Sequence, residues 1–424
     1  MRKSAHHPTE FLRVHTPAEL CRALSTFPRL PSQRVALAEA LYRVLATEIL
    51  APEDLPDADR STMDGFAVQA ADTFGASDSL PLPLQLIGDV RMGERSSLVV
   101  GKGQAVQIPT GGYLPQGVDA VVMVEQTNQA STTLLEVCRP VTAGENVLRR
   151  GEDVSARQLL LPAGKRITPW DIGLLAALGV TEVEVGCTPR AVVLSTGDEI
   201  VALDQKPGPG QIRDANAHSV AALLRTAGCV VEHGGIVEDQ PQALHDALQD
   251  ALNRADLVVL SGGSSVGERD LMPAVVSSLD QAEILVHGVA IKPGKPTLVA
   301  RVGDKALFGL PGHPVSAIVV AQVFVLPFVR YLSGEPLRQG PLGVRVRARL
   351  ATSIHSARGQ EEYVRVRLER ADDGRVAVPL FGKSAMLSSL VKADGLVVVP
   401  AQAEGLARGD EVEVLVFDAE RAHG

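Results

Sequence analysis

The run Ser261-Gly262-Gly263-Ser264-Ser265-Val266-Gly267 follows an apolar stretch and leads into a segment of helical pattern. Glycines there let backbone amides approach an anion, and the positive end of a following helix favours negative charge, so the loop reads as a phosphate cradle. It is not a Walker A loop, since no Lys-Ser or Lys-Thr follows, and it does not match GxGxxG. An ordinary turn is the alternative. Glu199 after the preceding apolar strand, Asp239 in the next connection and Asp270 after the glycine loop would fall along one sheet edge. Hard oxygen donors beside a phosphate loop are how Mg²⁺ is held, with water completing the shell. Taken singly, each acid could equally be a helix cap or a surface charge. Ile291-Lys292-Pro293-Gly294-Lys295-Pro296 fixes two ammonium groups between prolines and a glycine. That suits a small dianion, with a surface lysine turn as the alternative.

Two further stretches stand beside these. Gly309-Leu310-Pro311-Gly312-His313-Pro314-Val315-Ser316 is another loop with free amides, in which His313 by itself reads as a packed or capping residue. Nearer the N-terminus, Ser61-Thr62-Met63-Asp64-Gly65-Phe66-Ala67 and Ile108-Pro109-Thr110-Gly111-Gly112 could each be a plain turn. With Arg149-Arg150-Gly151-Glu152-Asp153 they would form a second polar rim.

The elements that must position these groups follow from apolar spacing. From Thr16 to Ala46 apolar residues recur at helical intervals around Pro28 and Pro31, which predicts two helices. Leu82 to Val185 alternates β-branched runs with Gly and Pro turns, and a helix is expected at Pro169 to Leu178. From Arg190 the pattern becomes strand (Ala191 to Leu194), helix (Ala217 to Ala227), strand (Val230, Val231), helix (Pro241 to Ala255) and strand (Leu257 to Leu260). That alternation predicts a parallel, doubly wound sheet with ligands beyond the carboxyl ends of its strands. After Ser333-Gly334-Glu335-Pro336, five short alternating runs predict a small C-terminal β-barrel or sandwich of roughly 80 residues. The fold class is therefore α/β multidomain, and no internal repeat or low-complexity segment is evident.

Composition narrows the function. The chain has 424 residues, suiting two to four domains of roughly 100 to 150 residues. A formal net charge of -9 argues against broad binding to nucleic acid or an anionic membrane. Cys21, Cys138, Cys187 and Cys229 lie far apart without a CxxC pair, so reduced thiols and a cytoplasmic location are expected rather than a zinc site or a disulfide framework. MRKSAHHPTEFLRV has no apolar stretch and predicts no secretory signal, and His6 and His7 read as terminus rather than metal site. Val315 to Val329, interrupted by Ser316, Gln322 and Pro327, is short of the roughly 20 residues that span a bilayer and reads as a buried helix.

Met63-Asp64-Gly65, Pro109-Thr110-Gly111, Arg150-Gly151-Glu152-Asp153, Ser195-Thr196-Gly197-Asp198-Glu199, Ser261-Gly262-Gly263, Lys292-Pro293-Gly294-Lys295-Pro296 and Leu310-Pro311-Gly312-His313-Pro314 occur in this order. Together they resemble the molybdopterin molybdenumtransferase family, which includes the C-terminal part of gephyrin, from about Phe11 to Phe417. The resemblance implies an elongated homodimer in which the doubly wound domain of one subunit faces the Met-Asp-Gly domain of the other. The implied domains are 11–55 with 151–186 (a linking piece), 56–150 (β-rich insert), 187–333 (doubly wound, molybdopterin-binding) and 334–418 (barrel). It further implies insertion of molybdate into adenylylated molybdopterin with release of AMP and a need for a divalent cation such as Mg²⁺. The implied catalytic positions are Asp64, Thr110, Glu199, Asp239 and Asp270, the last three also serving the metal. Substrate would be held by Ser261, Gly262, Gly263, Ser264, Ser265, Gly267, Lys292, Lys295, Pro311, Gly312, Ser316 and Ser384. Partners would be the adenylyltransferase of the preceding step and acceptor molybdoenzymes.

Three positions depart from the family pattern. Gly288 stands where some relatives carry a lysine, with His287 adjacent; His313 replaces a common Asn; and Gln360 stands where Arg is frequent, with Arg358 two residues away. A less cationic oxyanion pocket, or substitution by Arg358, is expected. Two other functions fit the sequence less well. A molybdopterin adenylyltransferase would leave more than half the chain unexplained, and its loop usually reads Gly-Gly-Thr-Gly. A non-catalytic cofactor-binding scaffold would not need both lysines and the acids.

Overall fold

The computed structural model describes residues 14–262, 271–372 and 374–417. Gly263, Ser264, Ser265, Gly267 and Asp270 lie outside the described residues. Two compact units emerge, one comprising residues up to 46, 164–167 and 183 onward, the other 47–163 and 168–182. Residues 11–55 and 151–186, expected as one linking piece, are distributed over both units.

The larger unit is built on a six-stranded sheet. Its spatial order is Val230–Val237, Arg190–Thr196, Leu257–Ser261, Lys305–Leu310, Leu298–Val302, Ala282–His287. The first four strands run parallel. The last two join at one edge by antiparallel pairings, with Leu298–Val302 running against all the others, so the sheet is mixed rather than wholly parallel. Strand residues alternate between two cores, because successive side chains in a strand point to opposite faces. Ala191, Val193, Leu257, Val259, Ala306 and Phe308 pack with the helix Asn216–Thr226 and the 314–332 helical stretch. Val192, Leu194, Val258, Leu260 and Leu307 pack with Pro241–Arg254 and Met272–Ser278. Covering both faces is what an apolar parallel strand requires. Truncating the fully buried Phe308 to Ala would cost about 3–5 kcal/mol.

The stretch Pro314–Leu332 is long and apolar enough to cross a bilayer, but 83% of it is buried inside the fold, as expected of a core helix. Five of its residues, Ala321–Val325, form a π-turn just ahead of Pro327. Pro327 lacks an N–H and its ring would meet the carbonyl four residues back, so a local widening accommodates it.

Five strands, Arg345–Leu350, Glu361–Ala371, Gly374–Pro379, Gly395–Val399 and Glu411–Val416, close into the C-terminal β-barrel. The second unit carries a six-stranded sheet including Gly65–Val68, Leu82–Asp89 and Gln104–Ile108, and the expected helix at Pro169–Ala177, opened by a Thr168/Asp171 capping box. One expectation fails. Of two helices predicted before Ala46, the first forms at Pro17–Leu24, but the second is replaced by the strand Ser32–Ala36 and a single 3₁₀ turn. That strand pairs with Glu182–Gly186, and Tyr42 adopts a positive φ of 62°, so neither backbone pairing nor local conformation permits a helix.

Candidate active site

The strand Arg190–Thr196 has the Val230–Val237 strand on one side and the Leu257–Ser261 strand on the other. The chain leaves it toward the first and then crosses back to the second. The gap between Arg190–Thr196 and Leu257–Ser261 is therefore the topological switch point, where open α/β sheets bind ligands at the carboxyl ends. A cleft of 780 Å³ opens there, lined among others by Thr196, Glu199, Asn216, Gly262, Gly312 and His313. Its volume is in the range of small-molecule sites. Gly262 has a φ of +104°, and a Cβ there would sit 2.0 Å from the Thr196 carbonyl oxygen, so only glycine fits.

The cleft floor is polar. Ser195 and Ser261 are register partners on adjacent strands and both are buried. Asn216 Nδ2 donates to Ser261 Oγ and to the Gly312 carbonyl, each at 2.8 Å. Asn216 Oδ1 and Ser195 Oγ are buried with no hydrogen-bond partner in the protein. A buried oxygen left unpaired is costly, so both fit a bound donor, cation or water. Glu199 lines the cleft, and Asp239 accepts a short hydrogen bond from Thr196 Oγ1. Two of the three expected acids are thus carried at the ends of neighbouring parallel strands. Among the described residues no three metal-ligating side chains converge, and the third acid, Asp270, is not among them.

A second cleft of 560 Å³ shares Pro296, Pro311 and His313 with the first, so the two run together. Lys292, Lys295, Ser316, Gln360 and Ser384 all line it, bringing the doubly wound sheet and the barrel into one site. Lys292 Nζ lies 2.9 Å from Glu362 Oε1. Ser384 Oγ is 3.1 Å from His313 Nδ1, and the Ser384 carbonyl accepts from the Val315 N–H at 3.1 Å. Arg358 does not line the cleft; its Nε pairs with Glu404 at 3.2 Å. The arginine that does line it is Arg365, whose guanidinium donates to Ser389 Oγ and the Gly382 carbonyl. Burial lowers its pKa from the usual arginine value.

In the second unit, Asp64 Oδ1 accepts from both the Thr110 N–H (2.7 Å) and the Thr110 hydroxyl (3.0 Å). These bonds, the backbone one first, hold the Asp64 carboxyl below its usual pKa. The Met-Asp-Gly and Pro-Thr-Gly motifs, expected on one polar rim, thus touch directly. Sequence reading missed Asn216, Glu362 and Arg365, and carried Ser195 only as part of a motif. Asn216 opens a helix after Asp214-Ala215, a signal more suggestive of a cap than of a ligand, and Glu362 and Arg365 sit in an unremarkable barrel strand. All four cysteines are free.

A switch-point cleft runs into a lysine-lined cleft against a barrel, all on an α/β scaffold. Residues 13–179 match the MoeA N-terminal region (domain I and II), residues 192–331 a probable molybdopterin binding domain, and residues 347–417 the MoeA C-terminal region (domain IV). The chain is 33% identical over 390 residues to the molybdopterin molybdenumtransferase of Bacillus subtilis (strain 168), covering 91% of this chain and 90% of that one. With the molybdopterin molybdenumtransferase of Staphylococcus aureus (strain MSSA476) it shares 32% over 397 residues, or 93% of each. The crystal structure of a molybdopterin biosynthesis MoeA protein from Pyrococcus horikoshii OT3 superposes with a TM-score of 0.82 at 28% identity, over 96% of this chain and 100% of that one. The chain belongs to the molybdopterin molybdenumtransferase family, and its role is in molybdenum cofactor biosynthesis.

Proposed function

We propose that the protein inserts molybdate into adenylylated molybdopterin, releasing AMP. The observation that carries this is the continuity of two chemically different clefts through Pro296, Pro311 and His313. The switch-point cleft, with its glycine-permitted close backbone approach, receives the phosphates and nucleotide. The lysine cleft receives the oxyanion, since ammonium donors to a doubly charged oxyanion make charge-assisted bonds of about twice neutral strength. Their meeting line is where the dithiolene would encounter molybdate. His313, oriented by Ser384, can hold a proton there.

Glu199 and Asp239 supply hard oxygen donors that fit Mg²⁺, with Asp270 as the third acid; unpaired Ser195 Oγ and Asn216 Oδ1 add donors nearby. The ion would neutralise charge on the phosphates. The Asp64/Thr110 pair serves the same site across a homodimer. The protein works in the cytoplasm, receives its substrate from the preceding adenylyltransferase and passes cofactor to acceptor molybdoenzymes, without nucleic acid or membrane. The test is AMP release by purified protein given adenylylated molybdopterin, molybdate and Mg²⁺. Glu199→Gln and Asp239→Asn should raise the Mg²⁺ requirement while leaving thermal stability intact; unchanged Mg²⁺ dependence in both would remove these residues from the mechanism.

A further inference from the structure

Thr188 and Gly228 precede the strands Arg190–Thr196 and Val230–Val237, at the amino ends of the parallel sheet and therefore opposite the clefts described above. They border a cavity of 400 Å³ whose wall also carries Arg43, Arg166, Arg225, Arg330 and Glu335. Three of the guanidinium groups are fixed by main-chain acceptors rather than by carboxylates. Arg43 Nη2 donates to the Gly186 carbonyl at 2.8 Å, Arg166 Nε to the Tyr42 carbonyl at 3.0 Å and Arg225 Nη2 to the Val231 carbonyl at 3.1 Å. Each keeps further N–H donors after that bond, since a guanidinium has five. Arg330 Nε is buried and makes no hydrogen bond. Arg330 lies within electrostatic reach of Arg166 and Arg338, with Glu335 as the offsetting carboxylate. Glu335 is only 7% exposed, and its Oε1 is also buried and unpartnered.

Gathering like charges in a concave wall costs Coulomb energy unless an anion completes the set. Planar N–H forks match the oxygens of a tetrahedral oxyanion. A carboxylate oxygen can only accept, so an anion facing Glu335 must bring its own O–H. We infer that this cavity is a second anion site, selective for a protonated tetrahedral oxyanion: hydrogen phosphate or the phosphate end of a hydroxylated phosphate ester. Sulfate, which carries no proton at neutral pH, would set an oxygen lone pair against the Glu335 carboxylate. Arg43, Arg166, Arg225 and Arg330 supply the charge, and Glu335 with the Thr188 hydroxyl reads the hydroxyl.

The test is calorimetric titration of the full chain with inorganic phosphate, sulfate and adenosine 5′-phosphate. Arg43→Gln and Arg225→Gln should each weaken phosphate binding about tenfold, the loss of roughly one charge-assisted contact. Glu335→Gln should narrow the preference for phosphate over sulfate. Adenosine 5′-phosphate binding more tightly than phosphate, with the same arginine dependence, identifies an ester as the ligand; the reverse order identifies the free anion. Both outcomes support the site. Absence of saturable phosphate binding, or phosphate binding unaffected by Arg43→Gln and Arg225→Gln, overturns it, and equal binding of phosphate and sulfate by the wild type removes the selective role of Glu335.

Discussion

Lys292 Nζ lies 2.9 Å from Glu362 Oε1, while Glu362 Oε2 is buried without a partner. The lysine-lined cleft therefore contains a carboxylate that already engages one of its two motif lysines. A half-exposed ion pair is worth only about 0–1 kcal/mol, whereas a carboxylate beside a bound dianion is repulsive over several ångströms. The charge effect outweighs the positional one.

Glu362→Gln is accordingly expected to lower the molybdate concentration needed for half-maximal AMP release, by about two- to tenfold at an effective dielectric near 20. The measurement is a molybdate titration at fixed adenylylated molybdopterin. An increased requirement would mean that Glu362 acts chiefly by orienting Lys292.

Two glycines of the switch-point cleft should behave differently when replaced by alanine. At Gly262 the new Cβ would lie 2.0 Å from the Thr196 carbonyl oxygen in a backbone of φ +104°, so strand ends must shift. A cost on the order of 1–3 kcal/mol and loss of substrate binding are expected. At Gly312 the nearest atom is the Gly262 Cα at 3.9 Å, ordinary contact distance. Gly312→Ala should melt like the wild type while weakening adenylylated pterin binding. Equal melting temperatures for both variants would contradict this steric reading.

Acid sensitivity should trace to Asp57, which accepts from Arg60 at 2.8 Å, Arg95 at 2.9 Å and the Tyr113 hydroxyl at 3.1 Å. These bonds, Arg60 first, hold its carboxyl down at about 2, from an ordinary 3.8. A depressed folded-state pKa stabilises above the unfolded value and ceases to do so as pH falls through the folded one. Asp57→Asn should thus melt below the wild type at pH 7, with the difference shrinking between about pH 4 and pH 2. A difference constant over that window would exclude Asp57 as the titrating group.

If the Asp64/Thr110 pair of one subunit completes the site of the other, mixing inactive Asp64→Asn with inactive Asp270→Asn protein should restore activity. With free exchange at equal mixing, half the dimers are hybrids and each holds one intact site of two, so about a quarter of wild-type activity should return. No recovery in verified hybrids would place each site within a single chain.

The parts of the fold most readable from sequence were those with simple periodicity. Strand and helix positions from Arg190 to Ser261 and the five barrel strands follow from apolar spacing and turn residues. The edge strands Leu298–Val302 and Ala282–His287 are not legible in the sequence, because their apolar runs are as consistent with buried helix as with strand. The failed helix near Val35 had a helical pattern of leucines, but pairing with Glu182–Gly186, about 150 residues away, decided its conformation. In the site, loops rich in Gly, Pro and Lys announced themselves by composition. Glu362 and Asn216 did not, since their roles depend on which oxygen remains unpaired after folding.

If Lys292 and Lys295 hold the oxyanion while the switch-point cleft holds the nucleotide end of the substrate, Lys292→Gln and Lys295→Gln should change the molybdate dependence of cofactor formation, measured beside the binding of adenylylated pterin. Loss of one charge-assisted contact, about 1.5–3 kcal/mol, should raise the molybdate requirement roughly tenfold or more in each variant. Pterin binding should stay near the wild-type value. An unchanged molybdate requirement together with lost pterin binding would contradict the account and assign these lysines to the phosphates.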